Sequence, residues 1–328
     1  FDMTKIKARR MINMDCGDPD SMVAGSAGVS KYDLCRKCSH EFVRGKAMRI
    51  RIAGLRGGHS GIEIGKNRAN AVDLAARLLS AISDEIPVRL ASLYSGNSSG
   101  SIPSSIELTL VVPSDRYLRA CDICAEINER FLFETALSDP GYFMSVESSD
   151  ASQAASYADT RAIIDFMISV PFDVIKRSSM DLRWPLCSAL LTDVNYAAGK
   201  YSAKYSIRAN VDSYKYDLIS RFKTLARLTD MESFVVYEAP AWPFDEESET
   251  RDLMRRVYEK IFGSELQIEL VHGVVEVSTI KKAIPEMDIV GIAPKSRGAH
   301  TTGEHLYIDS MQPFWLFLKS VLAEMCAC

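Results

Sequence analysis

Histidine is scarce in this chain, with five residues among 328, and long apolar runs are missing altogether. The longest apolar stretches, such as 314–318, fall far short of the roughly 18 residues that span a bilayer, so no membrane partner is expected. No apolar segment follows the basic residues Lys5, Lys7, Arg9 and Arg10, so a secretory signal peptide is not expected either. The charge is not strongly basic: the formal net charge is −4, which gives no general footprint for nucleic acid. Glycine, proline and cysteine are all too infrequent for a collagen-like chain, a disordered chain or a disulfide scaffold. What remains is an ordinary globular composition, 47% hydrophobic, at a length suited to two domains. The first residue is Phe1, not Met.

Eight cysteines include two Cys-x-x-Cys pairs, Cys35/Cys38 and Cys121/Cys124. A zinc ribbon needs its pairs about 15–20 residues apart, and here roughly 80 intervene. The second pair falls on a helical pattern with Leu118, Ile123, Ile127 and Phe131, which reads as half-buried helix cysteines. The first lies in a basic, polar stretch at 31–40, where a redox or metal pair and chance spacing both stay open. Without a secretory signal the thiols are expected reduced and the chain cytoplasmic.

Residues 10–14 read as a strand ending at Asp15. Residues 48–52 alternate apolar and basic side chains, a strand pattern. Helical spacing over 67–82, strands at 87–94 and 105–112, a helix over 114–131 and a strand at 142–148 follow. The order is β-α-β-β-α-β, that of a ferredoxin-like unit. A second half, with helices at 157–168 and 213–228 and strands at 190–196, 204–209 and 233–237, suggests a duplicated unit in series. Beyond 239, helices at 250–262, 277–283 and 309–324 alternate with strands at 266–271 and 287–292, which predicts a parallel α/β layer. The domains are therefore expected as 1–35 and 239–328 in one α/β body, with 36–238 inserted as a second domain.

Three of the histidines, His59, His272 and His300, lie in glycine-containing loops, and Asp15 ends a strand. Imidazole and carboxylate at strand ends are a plausible zinc ligand set. Taken singly, each is as well explained by a solvated loop or a turn, and no compact His-Glu-x-x-His spacing is present.

Six segments, in order along nearly the whole chain, carry a more specific signal. They are Ile-Asn-Met-Asp at 12–15, Gly-Ser-Ala-Gly at 25–28, Gly-Leu-Arg-Gly-Gly-His-Ser-Gly at 54–61 with Asn-Arg-Ala-Asn-Ala at 67–71, Pro-Ala-Trp at 240–242, Val-His-Gly-Val-Val-Glu at 271–276, and Gly-Ala-His-Thr-Thr-Gly-Glu at 298–304. Together they resemble the aminoacyl-histidine dipeptidases (Xaa-His dipeptidases) of the dizinc exopeptidases. The resemblance implies a zinc-exopeptidase α/β/α catalytic domain with an inserted α+β lid made of two ferredoxin-like units, and a dipeptide substrate of the Xaa-His type. It implies Asp15 on one zinc and His300 on the other. His59 would stabilise the tetrahedral oxyanion and Asn70 would support its loop. Arg208 would hold the substrate carboxylate, and His272 and Glu276 would line the site. Two zinc ions would polarise the carbonyl and activate a water. Either a monomer or a homodimer is compatible with a duplicated lid.

The sequence also departs from the family. Gly-Ser-Ile-Pro-Ser-Ser at 100–105 has Gly100 where the family has an asparagine facing the substrate, and Cys-Gly-Asp-Pro-Asp at 16–20 replaces an acidic run. The family's His-x-Asp motif, bridging Asp and Glu-Glu pair all precede the strand that ends at Asp15, and none can be placed in residues 1–14. The expectation is a peptidase whose N-terminal part is missing from this chain and which is inactive alone. The alternative is a non-catalytic peptide-binding or assembly module derived from such an enzyme.

Overall fold

A computed structural model describes residues 2–96, 100–298 and 302–327. In chain order the main elements are β1 (Arg10–Asn13), β2 (Ser21–Ser26), β3 (Gly28–Lys37), β4 (Lys46–Ala53), α1 (Ala71–Glu85), β5 (Arg89–Tyr94), β6 (Ile106–Val112), α2 (Tyr117–Thr135), β7 (Phe143–Ser149), α3 (Tyr157–Ser169) and β8 (Asp173–Arg177). There follow β9 (Pro185–Ala197), β10 (Lys200–Ala209), α4 (Asp212–Leu228), β11 (Glu232–Ala239), α5 (Glu249–Phe262), β12 (Gln267–Val271), α6 (Val277–Ala283), β13 (Asp288–Gly291) and α7 (Met311–Ala327). The chain divides into two compact units. One comprises 1–28, 209–212 and 239–328, and the other 29–208 and 213–238. The boundary expected at residue 35 falls inside β3, which enters the second unit almost whole.

The first unit is built on a sheet in the order β1-β13-β2-β12. Alternation along its strands sends neighbouring residues to opposite faces. Met22 and Val290 join Met254, Val257, Phe317 and Val321 of α5 and α7 on one face. Val23 and Ile289 join Val277 of α6 and Trp242 on the other. Two apolar faces, each covered by helix, make this unit three layers, α/β/α. The predicted all-parallel layer needs correction: β1–β13 and β12–β2 are parallel, but β13 meets β2 antiparallel at Gly291↔Val23. Helix α5 starts on Ser248, whose hydroxyl accepts from the Arg251 amide. It ends on Gly263 in the left-handed conformation, a position that glycine occupies without a Cβ penalty.

The second unit carries a nine-stranded sheet, ordered β7-β4-β6-β5-β9-β10-β3-β11, with β8 on β9. Its first half is β4-α1-β5-β6-α2-β7, in the spatial order 4-1-3-2 of a ferredoxin-like unit. Its second half has the same order, but its first strand is β3. The two halves are therefore nested and not in series: the whole first half is inserted between β3 and α3. They join edge to edge where Asn195 pairs with Tyr94 and Tyr196 with Leu93.

Strands β2 and β3 replace what the sequence reads as a glycine motif and a polar stretch. All six residues of β2 are buried, so no polar-apolar alternation marks it. Glycine is required where β3 begins: a Cβ on Gly28 would come within 2.6 Å of the Ala241 nitrogen. Cys35 lies 3.8 Å from Glu232 Oε2, and burial pushes the Cys38 thiol up. On α2, burial pushes Cys124 up to about 12, and it is buried along with Ala120, Ile123 and Phe131 while Cys121 is only partly buried, as the reading of half-buried helix cysteines expects.

Candidate functional site

In the first unit, β1 delivers Asn13 and then Asp15 at its C-terminal end. Asn13 is buried. Its Nδ2 donates to Glu276 Oε1 at 2.8 Å and reaches Cys16 Sγ at 3.4 Å, while its Oδ1 accepts the Asp15 amide at 3.3 Å. Asn13 thus orients the turn that exposes the Asp15 carboxylate. The Cys16 thiol is pushed up to about 12, chiefly by burial and then by the Glu276 charge, so it stays a thiol at neutral pH.

His272 follows β12 and is buried. Its Nδ1 lies 3.0 Å from Asn210 Oδ1, and Asn210 Nδ2 donates to the Val271 carbonyl at 3.4 Å. The second bond orients the amide, so its oxygen faces the ring and Nδ1 is the donor. Nε2 is then the acceptor nitrogen, the form in which imidazole ligates a metal. Asn13 and Asn210 were not singled out from sequence. The available signals were position only: Asn13 lies two residues before Asp15, and Asn210 two after Arg208.

His300 lies outside the described residues. Among the described residues, no three His, Cys, Asp or Glu side chains are grouped so as to hold a metal ion. Asp15 and Glu276 both act electrostatically on Cys16, but two carboxylates do not complete a zinc site.

In the second unit, the His59 loop is built as a rigid clasp. Gly58 has φ +126°, and a Cβ there would collide with the Glu63 carboxylate. Arg68 donates to Glu63 through both terminal nitrogens and to the Gly57 carbonyl, closing the loop internally. At the base, fully buried Asp139 accepts the Arg56 amide at 2.7 Å and the Ala69 amide at 2.8 Å, pinning both ends of the loop. The His59 Nδ1 accepts amides from Gly61 at 3.2 Å and Ile62 at 3.1 Å, so the ring proton is carried on Nε2. Such an N–H is the kind of donor that stabilises a developing oxyanion.

Asn70 caps α1, accepting the Val72 amide at 2.8 Å, and donates to the Leu191 carbonyl at 3.4 Å. Its polar atoms are engaged in positioning the helix behind the His59 loop. Arg208, on β10, is buried and donates through Nη2 to Ser60 Oγ at 3.4 Å. Among the described residues its Nε has no partner. Burial lowers its pKa to about 10. Among the described residues no carboxylate forms an ion pair with it, so a buried guanidinium is left with unused donor capacity. Of the residues named from sequence, His59, Asn70 and Arg208 thus belong to the second unit, and Asp15, His272 and Glu276 to the first.

No family model matches this chain. A curated relative, the cytosol non-specific dipeptidase of Escherichia coli (strain K12), is 26% identical over 323 residues, covering 98% of this chain and 67% of the relative. Among solved structures, an aminoacylhistidine dipeptidase from Vibrio alginolyticus superposes with a TM-score of 0.92 at 23% identity, over 98% of this chain and 66% of that one. This chain therefore spans about two thirds of the length of each. The resemblance to the aminoacyl-histidine dipeptidases, read from six short motifs, holds across the chain, and the fold is the one those enzymes use.

Proposed function

We propose that this chain carries the dipeptide-recognition residues, and part of the metal-holding residues, of a dipeptide-hydrolysing metallopeptidase like the aminoacyl-histidine dipeptidases. One observation carries the reading: Ser60 links the loop that presents the His59 Nε2–H to Arg208, a buried cation without a carboxylate partner among the described residues. A dipeptide needs these two functions, a donor for the scissile carbonyl and a fork for the terminal carboxylate. Asn70 positions the loop, and His272 and Glu276 line the site as the resemblance implies.

Zinc, two ions per complete site, is the metal this reading carries, and its chemistry is to polarise a carbonyl and lower the pKa of bound water. Asp15 would hold one ion and His300 the other. The described residues do not group into a complete site. They supply recognition and carbonyl polarisation, not a finished water-activating centre. We propose that the chain by itself is inactive. A non-catalytic peptide-binding or assembly module remains the second reading, favoured by the same contrast between a built recognition group and an incomplete ligand group.

The proposed substrate is a dipeptide of the Xaa-His type, and the proposed location is the cytoplasm. A monomer or homodimer is proposed, without nucleic-acid or membrane partners. The net charge of −4 gives no general footprint for nucleic acid, and among the described residues no helix is long and apolar enough to cross a membrane.

Metal analysis after dialysis against zinc, together with hydrolysis and binding assays on Ala-His, tests the proposal. The expected outcome is Ala-His binding that weakens about tenfold or more in Arg208→Met, without turnover and without two retained zinc ions. Two tightly held zinc ions with turnover would overturn the inactive-alone reading. Unchanged binding in Arg208→Met would overturn the recognition reading.

A further inference from the structure

Arg208 does not stand alone on its face of the sheet. Strands β10, β3 and β11 are consecutive neighbours. Tyr205 of β10 and Tyr32 of β3 both pack their rings on Phe222 of α4, with centroids 4.7 and 4.9 Å away. Strand alternation therefore turns Arg208 and Lys31 to the opposite face. Lys31 is partly buried, with its Nζ 5.9 Å from the centre of the Tyr237 ring on β11, and Tyr237 is 49% exposed. Ser206, on the Arg208 face, has a buried Oγ without a partner among the described residues. Among the described residues neither cation forms an ion pair with a carboxylate. Two cations on the same face of neighbouring strands, one of them buried, are unfavourable unless an anion joins them.

We propose that Arg208 and Lys31 form one recognition pair for a dianionic ligand, selecting dipeptides whose C-terminal residue carries a second carboxylate, as aspartate and glutamate do. Arg208 provides the planar fork for the main-chain carboxylate, and Lys31 the point charge for the side-chain carboxylate. A single carboxylate would leave one of the two cations uncompensated. The inference rests on the reading of Arg208 as the carboxylate-binding residue, and it places an acidic residue beside histidine among the C-terminal residues this site accepts.

Gly-Glu and Gly-Gln differ by one charge at nearly constant shape, which makes them the discriminating pair. Calorimetric titration of the full chain, with a chelator present to suppress turnover, is expected to show Gly-Glu binding about five- to tenfold tighter. Lys31→Met should narrow that ratio to within about twofold while leaving Gly-Gln affinity in place. Arg208→Lys, which keeps the buried charge and tolerates folding, should weaken both dipeptides. Equal affinity for the two dipeptides in the parent chain, or a preference that survives Lys31→Met, overturns the pair but leaves the Arg208 reading standing. Failure of both dipeptides to bind, or indifference of both to Arg208→Lys, overturns the Arg208 reading and the pair with it.

Discussion

Asp139 shows how a single side chain can hold a functional loop. Its partners, the amides of Arg56 and Ala69, are 83 and 70 residues away in the chain. In the sequence it is one more aspartate before a proline, and nothing nearby marks it. In the fold it is fully buried, and its two oxygens satisfy two amides that would otherwise go unpaired. Asn presents only one acceptor oxygen, so Asp139→Asn leaves one buried amide facing an NH2 group. The expected cost is about 1–3 kcal/mol, read as a lower urea midpoint at unchanged slope, with weaker Ala-His binding because the His59 loop loosens. An unchanged midpoint would mean that the loop is held by the Arg68–Glu63 pair alone. His59 itself was legible, because a histidine among four glycines in a motif is conspicuous. The tautomer it adopts was not, since that depends on backbone amides folding back onto Nδ1.

Among the elements, helices were the most legible. The apolar spacing over 67–82 falls on α1, whose buried face runs through Leu74, Leu78, Leu79 and Ile82. Helix α3 adds a connection that spacing does not show. Its N-cap Ser156 and its Asp159 meet Ser39 and Arg36, which come from the end of β3 and the turn after it. Partial burial works to raise the Asp159 pKa. Hydrogen bonds from the Ser39 hydroxyl and amide, from Ser156 and from Arg36 outweigh it and hold the carboxylate at about 2, below the ordinary 3.8. The folded pKa is depressed, so the stabilisation is fully present above about pH 3.8 and is lost as pH falls through about 2. Asp159→Asn should cost about 1–3 kcal/mol at neutral pH. The gap between variant and parent should close progressively from about pH 4 downward. Stability curves at several pH values check this, and a gap independent of pH would refute it.

For the whole molecule, the nesting of the two halves is the decisive feature. The first half, residues 46–149, owns all four of its strands and both helices. The second half, residues 157–239, lacks its own central strand, which is β3. A fragment of 46–149 is therefore expected to melt cooperatively, with its sheet covered on one side by α1 and α2. A fragment of 157–239 has a gap between β10 and β11 and is expected to show no cooperative transition. Circular dichroism melts of the two fragments check this. Cooperative folding of 157–239 would show that β10 and β11 can pair without β3.

The family resemblance pointed to His59, Arg208, Asp15 and His272, while the sequence by itself determined the helices, most of the strands and the repeated β-α-β-β-α-β order. Those properties follow from local periodicity, turn chemistry and residue type, which a linear reading preserves. Tertiary structure alone decided the β2 strand, because burial of all six residues removes the alternation that marks a strand, and the β3 strand, whose second half is a basic, polar stretch in the sequence. It decided that one half is nested in the other, because strand order is a property of long-range pairing. It also decided the second-layer residues: Asn13 on Glu276, Asn210 on His272 and Asp139 on the His59 loop. Each acts through one or two hydrogen bonds to partners distant in the chain, and such contacts leave no period and no spacing in the chain to read.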